Sequence, residues 1–149
     1  MCYATVVKLV LDTDVIVAAM RSPTGASAAL LQAALDGKVV LAANVALVIE
    51  YEATCTRAEH VSAAGLSDAQ VYVFLDALAD LIVPVETHYL WRPQLRDPGD
   101  EMVLEAAVNG QAQAIITFNL RDYGVAPNKF GVDVMLPRDA LRKVQRNKG

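Results

Sequence analysis

Residues 8–17 read Lys8-Leu-Val-Leu-Asp12-Thr-Asp14-Val-Ile-Val17. The aliphatic, β-branched run that stops before Asp12 has the composition of a strand buried on both faces. Two carboxylates follow it, Asp12 and Asp14. Open α/β sheets place their binding crevice beyond the carboxyl ends of their strands, so the pair predicts a site there. Two neighbouring acids repel unless something positive lies between them, and a divalent cation is the simplest candidate. The competing reading is an Asx-type turn, in which an Asp closes the strand by bonding its own backbone. The stretch alone leaves both open.

Outward from this stretch the chain alternates. Strand patterns are expected at 6–12, 39–42, 81–85, 114–117 and, more weakly, 132–136. Helices are expected at 24–36, at 45–57 with Asn44 as cap, at 67–80 with a Ser67/Gln70 capping box, at 100–109 and at 137–146. Strands separated by helices imply βαβ units, a mainly parallel sheet of about five strands, and helices on both faces.

Composition bounds the rest. The 149 residues fit one domain spanning 1–149. Hydrophobic residues make up 54% of the chain, which suits a sheet covered on both faces and an apolar interface between copies. No apolar stretch reaches the ~18 residues needed to span a membrane. There is no charged segment before the first apolar run, so no signal peptide is expected. Cys2 and Cys55 in a domain that needs no staple fit a reducing cytoplasm. A net charge of −4 excludes a polycation that holds nucleic acid by bulk charge. Basic residues crowd the last dozen positions, as expected of a solvated helix end.

Further acids fall on helices. Asp100 precedes Val103, Leu104 and Ala107 by 3, 4 and 7 residues, which puts it on the apolar stripe at the helix start. A dipole-compensating acid has no need of that inward position, which Glu101 could leave to solvent. Glu101 and Glu105 read as solvated charges. On the helix at 45–57, periodicity does not say whether Glu50 or Glu52 faces inward, though Glu50 and Arg57 share a stripe. Thr117, Asn119 and Asp122 follow another strand, where they read either as a capped turn or as a polar lip beside Asp12.

Taken together the motifs resemble the PIN domain family of metal-dependent ribonucleases, which includes VapC-type toxins. The resemblance rests on Leu11-Asp-Thr-Asp-Val15, on Glu50-Tyr51 followed by Arg57, on Asp97-Pro-Gly-Asp100 running into Val103-Leu-Glu-Ala-Ala107, and on Ile116-Thr-Phe-Asn119-Leu-Arg-Asp122-Tyr123. Arg21-Ser-Pro-Thr-Gly-Ala-Ser27 resembles a bacterial subgroup of toxin components. The resemblance implies a three-layer α/β/α fold and three metal-binding acids, Asp12, Glu50 and Asp100, with polar support from Thr117 and Asn119. The chain departs from the family at Asp14, where Asn is usual, and at Asn119, where many members carry a fourth acid. Asp14 and Asp122 are candidates to replace that charge.

The implied chemistry is Mg²⁺- or Mn²⁺-dependent hydrolysis of phosphodiester bonds in RNA, because such hard cations take carboxylates and water as ligands. Arg57, Arg92, Arg96 and Arg121 are candidates to hold phosphate, and Trp91 to stack on a base. His60 and His88 stand apart in the sequence, offer no zinc set, and read as surface residues. A toxin would pair with a small antitoxin protein, and the resemblance also suggests a homodimer. Two alternatives compete. One is a degenerate domain that binds RNA or protein without cutting. The other is a haloacid-dehalogenase-type phosphatase, which also starts from Asp-x-Asp but needs a lysine in a region, 39–128, that contains none.

Overall fold

The computed structural model describes residues 6–87 and 94–146. Trp91, Arg92, His88 and Cys2, named above, lie outside the described residues. Five strands, β1 (Val7–Leu11), β2 (Val39–Ala43), β3 (Ile82–Pro84), β4 (Ala114–Ile116) and β5 (Asp133–Met135), pair in parallel in the order β3-β2-β1-β4-β5. Leu9, Val10 and Leu11 are all buried, as are Ile115 and Ile116. Successive side chains on a strand point to opposite faces, so both faces of the sheet centre are covered.

The helices among the described residues are α1 (Thr13–Arg21), α2 (Ala26–Leu35), α3 (Val45–Cys55), α4 (Ala58–Ala64), α5 (Asp68–Leu81), α6 (Pro98–Asn109), α7 (Leu120–Tyr123), α8 (Ala126–Lys129) and α9 (Pro137–Arg146). α2 packs against β2 and α9, whereas α6 lies on β1, β2 and β4. The architecture is the three-layer α/β/α sandwich with a parallel centre that the alternating pattern predicts. Among the described residues no helix is long and apolar enough to cross a membrane.

The strand order locates the crevice. From β1 the chain steps outward to β2 and β3, then crosses back to β4 on the other side of β1 and out to β5. Right-handed crossovers put helices made before and after that reversal on opposite faces. The carboxyl ends of β1 and β4 are thus the switch point where such sheets open. The Asp12 N–H donates to the Ile116 carbonyl there, at 2.9 Å.

Several local signals hold. The Ser67/Gln70 capping box is formed in both directions. Asn44 Oδ1 accepts the Leu47 N–H at 2.9 Å, while its Nδ2 donates to the Met102 carbonyl at 3.2 Å and ties α3 to α6. Other boundaries differ from expectation. α1 follows β1 with only Asp12 between them, although residues 13–21 gave no expected helix. α3 stops at Cys55, and α4 starts afresh with Arg57 as its N-cap residue. α6 begins at Pro98, two residues early, because Asp97 caps it by accepting the Gly99 N–H at 2.7 Å.

Candidate metal centre

Asp12 stands between β1 and α1, and its position is over-determined. Its Oδ1 accepts the Thr13 N–H at 2.8 Å, an N-cap bond. Its Oδ2 accepts from Thr117 Oγ1 at 2.9 Å and from the Tyr123 hydroxyl at 2.9 Å. Thr117 is fully buried just beyond β4, and its hydroxyl oxygen accepts the Asn119 N–H at 3.0 Å. That bond leaves the single Thr117 proton free to point at Asp12. Burial, then the Asp12 charge, pushes the Tyr123 phenol far above its ordinary range, so it stays protonated and donates to Asp12. Tyr51, buried on α3, donates to the Leu11 carbonyl and clamps the end of β1 from the other side. The turn reading of Asp12 is therefore half true: it does close the strand onto a local N–H, but its second oxygen is held by distant residues.

Asp14 lies in the first turn of α1. Its Oδ2 accepts the Phe118 N–H at 3.1 Å and Asn119 Nδ2 at 3.0 Å, with Thr117 Oγ1 more distant at 3.5 Å. Its Oδ1 is buried with no hydrogen-bond partner. Burial, then the Asp12 charge, pushes its carboxyl up to about 6. Asp100, half-buried in the first turn of α6, is also pushed up to about 6, by burial and then by the charges of Asp12, Asp97, Asp122 and Asp14. Carboxylates that raise one another in this way lie within electrostatic reach of one another.

Asp12 and Asp14 thus stand together at the switch point, joined through Thr117 and Asn119, and Asp100 lies within electrostatic reach of both. Asp122 is exposed on α7 and acts on Asp100 by charge alone. Glu50, not Glu52, is the partly buried acid of α3. It accepts from Thr54 Oγ1 at 3.1 Å and lines a cavity of about 630 Å³ together with Asp14, Arg57 and Arg21. Arg96 and Arg121 line a second cavity of about 440 Å³ with Asp100, Asp122 and Lys129. The acidic cluster therefore sits between two clefts, each carrying arginines.

Two expectations are corrected. Glu101 is not a solvated charge: it accepts the Gln94 N–H at 3.0 Å and the Leu95 N–H at 2.8 Å, fixing the approach to α6. Burial and the Glu101 charge raise the nearby Glu105 carboxyl, so it too is not a freely solvated charge. His60 is not a free surface residue either; it lines the cavity shared by Glu50 and Asp14, and its Nδ1 is buried without a partner. Tyr51, Tyr123, Phe118 and His60 had no sequence signal as site residues. An aromatic in the Glu-Tyr and Arg-Asp-Tyr motifs is the one hint, since a buried tyrosine hydroxyl needs a partner.

The donor set suits a hard cation. Among the described residues no Lys or Arg forms an ion pair with Asp12, Asp14 or Asp100, and Asp14 Oδ1 is an unused oxygen beside them. Among the described residues no group of three or more His, Cys, Asp or Glu side chains is placed to hold a metal ion by itself. Mg²⁺ does not need such a cage, because it keeps several waters and uses one or two carboxylates plus substrate phosphate oxygens. Tyr123→Phe keeps the ring and removes one donor from Asp12. It is expected to lower Mn²⁺ affinity roughly 10- to 100-fold, as loss of an outer-shell partner does. Thermal melting across a Mn²⁺ titration measures this, and unchanged affinity would assign the hydroxyl to folding alone.

The family model described as PIN domain matches residues 8–121, more than half of the chain; the match includes Asp12, Asp14, Glu50, Asp100, Thr117 and Asn119 and stops short of Asp122 and Tyr123. No curated relative matches the chain.

Proposed function

The chain belongs to the PIN domain family, whose members are generally nucleases, and from that premise we propose that it is a Mg²⁺- or Mn²⁺-dependent endoribonuclease, the VapC-like toxin of a type II toxin–antitoxin pair. The observation that carries the reading is the pair of carboxylates Asp12 and Asp14 held at the switch point by Thr117 and Asn119, with Asp100 in electrostatic reach and no described basic residue paired to any of the three.

Asp12 and Asp100 hold the cation, and Glu50, on the wall of the adjoining cavity, orients water. Thr117, Tyr123 and the Thr13 N–H fix the Asp12 carboxylate, and Asn119 with the Phe118 N–H fixes Asp14. A bound divalent cation supplies activation of the attacking water and neutralisation of charge at the phosphate. Arg57 on one side, and Arg96 and Arg121 on the other, hold phosphates of a strand laid across the acids. Bulk attraction is not needed, in keeping with the net charge of −4. The chain acts as a single domain in the cytoplasm, as a homodimer, and a small antitoxin protein blocks the crevice.

A second reading, an RNA- or protein-binding module that does not cut, draws on the lack of a complete metal-binding group among the described residues. Cleavage of single-stranded RNA with Mn²⁺ separates the two. Cleavage that disappears with Asp100→Asn supports the nuclease. Absence of both cleavage and a Mn²⁺-induced rise in melting temperature would sink it, and turnover of a small phosphomonoester that persists in Asp100→Asn would point to a phosphatase.

A further inference from the structure

Two buried side-chain polar atoms among the described residues lack a hydrogen-bond partner, Asp14 Oδ1 and His60 Nδ1. Both belong to residues that line the same cavity of about 630 Å³. Buried polar atoms are nearly always satisfied, so the walls of this cavity carry unused hydrogen-bonding capacity just beneath their surface. The cavity is of the size that takes small organic ligands, about 300–1,000 Å³.

Its walls differ in chemistry. One carries Asp14 and Glu50, which join it to the acidic cluster. Another carries Arg21 and Arg57, both exposed, and among the described residues neither is paired with an acid. The buried Val17 contributes an apolar surface. Phe118 lies at the edge with 49% of its surface exposed, while its own N–H is fixed to Asp14 Oδ2. His60 keeps 20% of its side chain exposed, with its Nε2 3.9 Å from the exposed Glu59 carboxylate, a contact loose enough for a ligand to replace. The main-chain bond to Asp14 fixes where Phe118 stands, and its ring is left exposed at the cavity edge. A ligand that matches all walls has a flat ring with hydrogen-bonding edges and an attached anion, which is a nucleotide.

We propose that this cavity is a base-receiving subsite that takes one unpaired nucleotide of the RNA strand, next to the phosphate that is cut. Phe118 stacks on the base, His60 bonds its edge, and Arg57 and Arg21 hold the neighbouring phosphate. A base inside a duplex cannot enter, so the subsite selects single-stranded RNA and gives cleavage a preference for the base beside the cut. This rests on the nuclease reading only for the position of the cut; the pocket itself does not need it.

The test uses the full chain with Mg²⁺. The four nucleoside 5′-monophosphates and inorganic phosphate are titrated while the NMR signals of His60 and Phe118 are followed. At least one nucleotide is expected to shift both and to bind more tightly than phosphate. Phe118→Ala is expected to weaken it about tenfold, and Phe118→Trp to keep it. His60→Ala is expected to flatten the order of the four bases. Nucleotides that bind no better than phosphate, or that are indifferent to both alanine variants, overturn the subsite. So does RNA cleavage whose base preference neither variant alters, in which case the nuclease reading stands. Nucleotide binding that meets the expectation in a protein that never cuts RNA leaves the subsite standing and overturns the nuclease reading instead.

Discussion

Asp12→Asn is expected to abolish the proposed RNA cleavage and to leave the fold in place. The substitution removes the negative charge at the residue on which the site converges, while keeping an oxygen for the Thr13 N–H, since Asn caps helices as well as Asp does. Its amide then faces the hydroxyls of Thr117 and Tyr123, which can rotate to accept. Loss of that rearranged pairing is offset by relief of repulsion, because Asp12 is among the charges that raise Asp14, Asp100 and Tyr123. The metal-free variant is therefore expected to melt within the range of a change of about 1 kcal/mol. Activity behaves differently. A cation at a phosphoryl centre contributes several kcal/mol to the transition state, and each 1.36 kcal/mol is a factor of ten, so kcat/KM is expected to fall by at least about a thousandfold. The rise in melting temperature on adding Mn²⁺ should vanish with it. Retention of activity within tenfold would remove Asp12 from the reaction. A collapse of the metal-free fold would assign it to structure.

The parallel sheet was legible because each strand is a short aliphatic run flanked by helix signals, and the closing helix falls at Pro137–Arg146 as expected. α1 was not legible. Val15, Ile16 and Val17 favour a strand by propensity, yet all three are buried in a helix covered on more than one side, so tertiary burial overrides local preference. α7 and α8, four residues each, are too short to show a helical period. The acids Asp12 and Asp100 could be named from position, because each sits at an element terminus next to an apolar stripe. The inward choice of Glu50 over Glu52 needed the structure, since α3 is apolar on several sides. His60 and Phe118 were missed for a plain reason. Their meeting depends on β4 lying beside β1 and on α4 returning to α1, and neither contact is local in sequence.

The departure at Asp14 becomes intelligible in this setting. Asn119, at a place where the resemblance leads one to expect an acid, donates to Asp14, at a place where it leads one to expect an amide. Acid and amide face each other with roles exchanged, so a carboxylate is retained at this point of the cluster. Two acids there would repel, and two amides would leave the cluster one charge short.

That carboxylate makes the centre sensitive to pH in a defined direction. Asp14 and Asp100 are raised from the ordinary 3.8 to about 6 by burial and by their acidic neighbours. An acid whose folded pKa lies above its unfolded one holds its proton more tightly in the folded state. Its contribution to stability is complete below about 3.8 and is lost as pH rises through about 6. The metal-free protein is therefore expected to lose melting temperature between pH 4 and 7 on account of these two groups. Exposure of Asp100 to solvent reduces its share. Divalent cations reverse the sign. They bind the deprotonated carboxylates, so protons compete with them, and affinity falls below pH 6 by about tenfold per pH unit for each proton displaced. With Asp100 as a ligand and the Asp14 carboxylate beside the cation, both titrating at about 6, the Mn²⁺ midpoint should rise roughly 30-fold from pH 6 to pH 5. Asp14→Asn removes one of the two protons. It should halve the slope of that dependence on a logarithmic scale and stabilise the metal-free protein at pH 7, because the buried charge is gone while the amide still accepts from the Phe118 N–H. Calorimetric Mn²⁺ titrations at pH 5, 6 and 7 on both proteins measure the slopes. A midpoint that stays constant across this range would show that the metal neither binds Asp100 nor feels the charge of Asp14.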